Sequence, residues 1–365
     1  MRIGLVIYGR LSTVSGGYLY DRMLVAHLVR HGHEVELISL PDGWGYGRSM
    51  RLNFDRSLQQ RLENGPWDIL LQDELCHPAL FWLNRRLSRR PLVTVVHHLR
   101  STEARPAWQN WLYRWVERPY LASVDGFIYN SQTTRQEVEK LVGKRPFVVA
   151  PPSGHRFPHH PQQGDILARA HQSGELRLLF VGNLIPRKGL HTLLKALTHL
   201  PASGWRLDVV GNTAVNPHYT RTIQQQIRAH GWQARVTLHG LLDDHHLADR
   251  YAHSHALVVP STYEGFGIVY LEGMGFGLPA IATTAGAAGE IITHGQNGFL
   301  IPPEDARQLA HHLAAWLTDR SLLARMSLAA WHYFQMSPDW ETTMSRTRLF
   351  LESLHTHYLE NRHGG

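Results

Sequence analysis

The 365-residue sequence contains a single cysteine, Cys76. That rules out an internal disulfide framework and a cysteine-based metal cluster, and it suits a reducing compartment. No run of about 18 apolar residues is present, the length a membrane-crossing helix requires. The opening MRIGLVIYGR is short, apolar and without a cleavage pattern, so it reads as a first strand and not a targeting segment. Charged residues are few, at 18% against 43% hydrophobic, which excludes a disordered chain. A GxGxxG dinucleotide fingerprint, an HExxH zinc motif and an Asp-x-Asp motif are all missing. The 26 histidines cluster in pairs such as His159/His160, His245/His246 and His311/His312, in separate segments without companion cysteines. They read as solvated or structural, and no metal site or cofactor is expected.

The charge that is present is unevenly placed. Residues 1–160 hold 21 Lys and Arg against 14 Asp and Glu, while the remaining residues hold 16 of each. The whole excess of +7 therefore lies in the first half. An anionic partner for that half is expected, such as a membrane surface or a charged acceptor; nucleic acid is not expected. The expected location is the cytoplasm, with a peripheral position at the inner face of the membrane open to the basic half.

The most informative stretch is residues 257–280, LVVPSTYEGFGIVYLEGMGFGLPA. A short apolar run ends at Pro260-Ser261 and is followed by Glu264-Gly265-Phe266-Gly267 and a helical pattern carrying Glu272. This is the signature of a buried parallel strand, a glycine turn and a helix N-terminus, where unpaired backbone N–H groups suit a phosphate. Gly265 and Gly267 allow a ligand close to the backbone. Glu264 precedes the helix, Glu272 is expected roughly two turns into it, and ionised carboxylates there suit sugar or ribose hydroxyls. A capping Glu264 and a solvated Glu272 would be the plainer reading of the same spacing.

PSTYEGFGIVYLEGMGFGLPAI resembles the signature of the retaining, metal-independent glycosyltransferases of the GT-B fold, in the large family four of sucrose-synthase-like and mannosyltransferase-like enzymes. The resemblance implies that Glu264 contacts the transferred sugar and that Glu272 holds the nucleotide ribose. It also implies two doubly wound Rossmann-like α/β domains facing a central cleft, with a last helix crossing back to the first domain.

Other segments fit the same pattern. Ile3 to Tyr8 is a strand, and Ser15-Gly16-Gly17 opens a helix with apolar positions Leu19, Met23, Leu24 and Leu28. Taken alone, the glycine pair reads sooner as a tight turn, but the resemblance places Gly16 and Gly17 near donor phosphates and acceptor. Trp67 to Leu71 reads as a strand ending in Gln72-Asp73-Glu74, and Pro91 to Val96 as one ending in His97-His98. Polar groups at the carboxyl ends of parallel strands face the ligand crevice. The resemblance favours His97 over His98 as the histidine beside the sugar. In 105–120, RPAWQNWLYRWVERPY, Trp108, Trp111, Leu112, Trp115 and Val116 recur at helical spacing among Arg105, Arg114 and Arg118. Such a face suits either a lipid interface or the domain's own core, and core packing, the commoner fate, is the expectation.

Residues 156–175 read as a linker rich in Pro, Gly, Gln and His, joining an acceptor domain (1–155) to a donor domain (176–338), with a helix at 339–360 returning to the first domain. After the strand Leu176 to Val181 comes GNLIPRKG, where Arg187 and Lys188 precede a helix and suit a diphosphate. Lys188 matches the resembling family's pyrophosphate lysine. Asn183 stands where that family has arginine, and Arg187 is the residue at hand to supply the charge.

The reading is therefore a hexosyltransferase using a nucleoside diphosphate sugar, with a polysaccharide, lipid or small glycoside as acceptor. Its rivals are a nucleotide-sugar epimerase on the same architecture and a non-catalytic membrane- or nucleic-acid-binding protein.

Overall fold

The computed structural model describes residues 1–87 and 89–363, the side chains of 362 and 363 excepted. The chain divides into two compact units, Met1–Pro152 together with the segment from Pro338 onward, and Ser153–Ser337.

The first unit is built on six parallel strands: β1 (Arg2–Tyr8), β2 (Glu34–Leu40), β3 (Ile69–Asp73), β4 (Leu92–Val96), β5 (Gly126–Tyr129) and β6 (Phe147–Val149). Their order is β2-β1-β3-β4-β5-β6. The second unit has six more: β7 (Leu176–Val181), β8 (Trp205–Val210), β9 (Val236–Gly240), β10 (Ala256–Val258), β11 (Ala280–Thr283) and β12 (Gly298–Ile301). They run in the order β12-β11-β10-β7-β8-β9. Central strands such as β3, β4 and β10 are buried along their whole length, because helices cover both faces of a parallel sheet. Both sheets are doubly wound, as the sequence leads one to expect.

Each order reverses direction at one point. In the first sheet the chain leaves β1 toward β2 and resumes on the other side at β3. In the second it leaves β7 toward β8 and β9, then returns to β10 on the far side. Connections leave such a switch point in opposite directions, which opens a crevice beyond the carboxyl ends of the two strands. Ligand chemistry is therefore to be sought after β1, β3 and β4 in one unit, and after β7 and β10 in the other.

The last helix, Trp340–His363, belongs to the first unit. Its Thr343 hydroxyl donates to the Pro151 carbonyl at 3.0 Å, Glu341 meets His27 at 3.3 Å, and Glu352 meets His33 at 3.1 Å. Residues 156–175 are not a free connector. They carry the helix Gln163–His171, whose Ile166 and Ala170 are buried in the core of the second unit. Just before them, a Cβ on Gly154 would lie 2.6 Å from Leu271 Cβ, so glycine is what lets this segment lie against the helix Ile268–Gly275.

The tryptophan-rich segment overturns its expectation. It forms the helix Ala107–Leu121, but Trp108, Trp111 and Trp115 are each 64% exposed and Leu112 48%. The residues packed inward are Val116, Glu117, Tyr120 and Leu121. Among the described residues, no helix is long and apolar enough to cross a membrane.

Candidate functional site

At the switch point of the second sheet, β7 runs into Gly182–Gly189 and β10 into Val259–Gly267. Glycines join these loops to each other and to the loop after β11. Gly189 has φ +73° and a Cβ there would sit 2.0 Å from the Pro260 carbonyl oxygen. Gly286 has φ +83° and a Cβ would sit 2.0 Å from the Glu264 carbonyl oxygen. One backbone and one side-chain hydrogen bond complete the junction: Thr262 N–H donates to the Arg187 carbonyl and an Arg187 Nη donates to the Tyr263 carbonyl, both at 2.8 Å.

That junction places Lys188 and Glu264 in contact, although 76 residues separate them. Lys188 Nζ donates to Glu264 Oε1, which also accepts from the Ser261 hydroxyl at 2.7 Å. Burial alone would raise the Glu264 carboxyl, but Lys188, with Arg187 and Ser261 behind it, holds it down at about 2. Glu264 is therefore ionised at any working pH and serves as a hydrogen-bond acceptor, not as an acid. Burial lowers the Lys188 ammonium, and Glu264 opposes that shift. Asn183 is only partly buried in the loop after β7.

Gly265 and Phe266 are buried beside this pair, and Gly267, φ +96°, opens the helix Ile268–Gly275. Glu272 lies about one turn into that helix, not two, because the helix begins only at Ile268. It is also not solvated. Its carboxylate is buried, accepts from the Tyr251 hydroxyl at 2.9 Å and from Arg156 at 3.3 Å, and Arg156 is shared with the exposed Asp244. Burial raises the Glu272 carboxyl above its ordinary value, against the pull of Arg156 and Tyr251. Glu264 and Glu272 thus sit in two different polar clusters: one around the lysine, the other around an arginine.

In the first unit, Ser15 caps the helix Gly16–Arg30 by accepting from Tyr18 N–H at 3.3 Å. Gly16 is exposed, and Gly17 faces His97: a Cβ on Gly17 would lie 3.3 Å from its ring. His97 Nε2 lies 3.6 Å from Asp21 Oδ1, slightly beyond a hydrogen bond. Asp21 is fully buried, and neither of its carboxylate oxygens has a hydrogen-bond partner. Burial lowers the His97 imidazole, but Asp21 foremost, then Asp73 and Glu74, outweigh it and hold the ring toward its cationic form. His98 turns instead to Glu103, at 3.2 Å. Of the two histidines, His97 is the one beside the glycine pair.

Asp21 and Arg156 are the residues that sequence reasoning missed. Asp21 had a signal, since it lies in line with Leu24 and Leu28 at i, i+3 and i+7, an acid within an apolar stripe. Arg156 had none.

Asp73, at the end of β3, completes the buried cluster. Burial, then Asp21, raises its carboxyl from 3.8 to about 7, against the pull of His97. Between about pH 4 and 7 the folded protein keeps this proton while the unfolded chain releases it, so stability falls as pH rises through that window. Asp73→Asn, which can still accept from Leu75 N–H, is expected to exceed the wild type at pH 8 by on the order of 2 kcal/mol and to show no such gain at pH 4. Denaturant midpoints at the two pH values check this. Ligand atoms of Asp21, Asp73 and His97 lie within 4.8 Å of one another, and one divalent cation could gather them.

Comparison with known proteins finds relatives of both halves of the chain. Residues 166–332 match the family described as glycosyl transferases group 1, and residues 18–153 match glycosyltransferase family 4. Glycogen synthase of Mycobacterium tuberculosis is 31% identical over 182 residues, which are 49% of this chain and 43% of that protein. The chain thus spans less than half the length of that relative. Among solved structures, sucrose-phosphate synthase from Thermosynechococcus elongatus superposes with a TM-score of 0.82 at 21% identity, covering 98% of this chain and 99% of the other. HepE from Anabaena, solved with UDP-glucose, gives 0.74 at 21% identity, covering 98% and 100%. The architecture is the two-domain GT-B fold.

Proposed function

We infer that this chain, which belongs to the group 1 glycosyltransferases, moves a hexose from a nucleoside diphosphate sugar to an acceptor, without a metal ion and with retention at the anomeric carbon. The observation that carries this reading is the Lys188–Glu264 pair at the switch point after β7 and β10. A diphosphate leaving group needs positive charge where its own charge grows. Lys188, Arg187 and the N-terminus of the helix Ile268–Gly275 supply fixed charge and oriented N–H groups there. Glu264, adjacent to that charge and held ionised by it at neutral pH, is suited to accept from hydroxyls of the transferred sugar. With Oε1 held by two donors and its basicity low, Glu264 is a poor nucleophile, which favours attack from the leaving-group face over a covalent intermediate.

Glu272 is suited to a ribose. A diol can replace Arg156 and Tyr251 as donor to its buried carboxylate, so the free site is already shaped around an acceptor of two hydrogen bonds. The HepE neighbour was solved with UDP-glucose, which makes uridine diphosphate sugars the first donors to try. Gly16, Gly17 and His97 of the first unit serve the acceptor side, where a cationic His97 donates to a sugar hydroxyl and Asp21 positions the ring. The lone buried thiol of Cys76 fits a cytoplasmic setting.

The test is nucleotide release from a panel of UDP-, GDP- and ADP-sugars with EDTA present, followed by NMR of the product's anomeric signal. One donor consumed in EDTA with its anomeric configuration retained is the expected result. Release that requires a divalent ion would overturn metal independence. Conversion of the donor into its epimer without release would make the protein an isomerase.

A further inference from the structure

The helix Ala107–Leu121 has two apolar faces on opposite sides. One is accounted for by the core. Val116, Tyr120 and Leu121 are buried, and the Tyr120 hydroxyl shares a hydrogen bond with Thr94 at 2.8 Å. Glu117, fully buried, accepts from the backbone N–H groups of Arg100 at 2.6 Å and Ser101 at 3.2 Å. These contacts fix the helix about its own axis. The other face is therefore held outward, and it carries Trp108, Trp111, Leu112 and Trp115 at i, i+3, i+4 and i+7, all exposed. Among the described residues, the packing of the first unit leaves all four of these side chains exposed.

We propose that this outward face docks the protein on an anionic lipid bilayer. Charge and composition select that occupant. Arg114 and Arg118 are exposed along the flank of the tryptophan face, and the one acid of the helix, Glu117, is turned into the core. The exposed surface of the helix is thus apolar and cationic with no acid, the pattern of a helix lying in the headgroup region. Tryptophan prefers that boundary over both water and hydrocarbon, and arginine at its edge meets lipid phosphate. The positive charge of the first half, which contains this helix, acts in the same direction at longer range. A helix of 15 residues, about 22 Å long, is suited to lie along a bilayer surface and cannot span one.

The experiment is flotation of the full chain with vesicles of phosphatidylcholine alone and of phosphatidylcholine mixed with phosphatidylglycerol, together with tryptophan emission. The wild type is expected to float with the anionic vesicles, to shift its emission to the blue, and to release as salt is raised. Trp108→Ser/Trp111→Ser/Trp115→Ser is expected to weaken binding about tenfold or more, and Arg114→Glu/Arg118→Glu to abolish the preference for anionic lipid. Because the replaced side chains are exposed, an unchanged circular dichroism spectrum and thermal midpoint show that the variants fold. Wild-type binding retained by the triple tryptophan variant would overturn the proposal. So would a wild type that ignores both kinds of vesicle, or one that forms a dimer which the triple variant dissolves. Docking is read without any nucleotide sugar, so its failure and a failure of the transferase reading are separate results.

Discussion

Lys188→Ala is expected to slow nucleotide release from the preferred donor by about 10²–10³-fold, the usual effect of removing one preorganised charge from a site where charge develops. The loss falls on turnover more than on donor affinity, because the ammonium is worth most once the diphosphate carries its full charge. The same variant should also be less stable, by a route that pH exposes. Without Lys188, Glu264 is left as a buried carboxylate facing Ser261 and the more distant Arg187. Breaking a buried pair from one side costs about 3–5 kcal/mol when the remaining charge stays ionised. In the wild type the depressed Glu264 pKa contributes stability that is present above the ordinary carboxyl range and lost as pH falls toward 2. In Lys188→Ala that contribution reverses, so the deficit should be largest above about pH 5 and shrink as Glu264 protonates. Adding Glu264→Gln should recover much of the stability and none of the activity. Urea midpoints for the wild type and the two variants at acid and neutral pH, with release rates alongside, check both halves.

Gly189→Ala is expected to destabilise the protein by about 2–5 kcal/mol, from left-handed strain plus a backbone clash. The backbone sits at φ +73°, and the new Cβ would approach the Pro260 carbonyl oxygen to 2.0 Å. Backbone cannot yield as a flexible side chain can. Relief requires the two loops to part, which separates Lys188 from Glu264. Donor turnover should therefore fall further than the stability loss alone explains, even at temperatures where the variant is fully folded. A variant that is destabilised but turns over donor at the wild-type rate would show that the loops need not touch. Gly143→Ala is the matched control: its φ is also positive, at +76°, but nothing lies within 4 Å of the added Cβ.

The two sheets were readable from the sequence because their central strands are buried on both faces and so appear as unbroken apolar runs. The glycine turn and the residues around it were readable because a strand-to-helix turn with fixed spacing is a local feature. What was not readable depends on contacts between distant segments. Nothing in GNLIPRKG or PSTYEG indicates that Lys188 meets Glu264, which follows from Gly189 lying against Pro260. Arg156 sits in a stretch whose composition resembles a connector, and only the close approach of Gly154 to Leu271 draws it onto Glu272. The tryptophan helix was misassigned because periodicity reveals an apolar stripe without saying which way it faces. There the deciding residue is Glu117, whose carboxylate caps two backbone N–H groups and commits its own side of the helix to the core, leaving the tryptophans outside.

The central claim is that the second unit holds a nucleoside diphosphate with Lys188 on its phosphates and Glu272 on its ribose. Calorimetric binding of the nucleoside diphosphate that best stabilises the protein, beside its 2′,3′-dideoxy analogue, tests this most directly. The wild type should prefer the ribose form by about tenfold or more, the value of a hydrogen bond to a buried carboxylate. Glu272→Gln should lose that preference, while Lys188→Gln should weaken both ligands alike and keep it. A Glu272→Gln protein that still discriminates between the two, or a wild type that never did, would contradict the account.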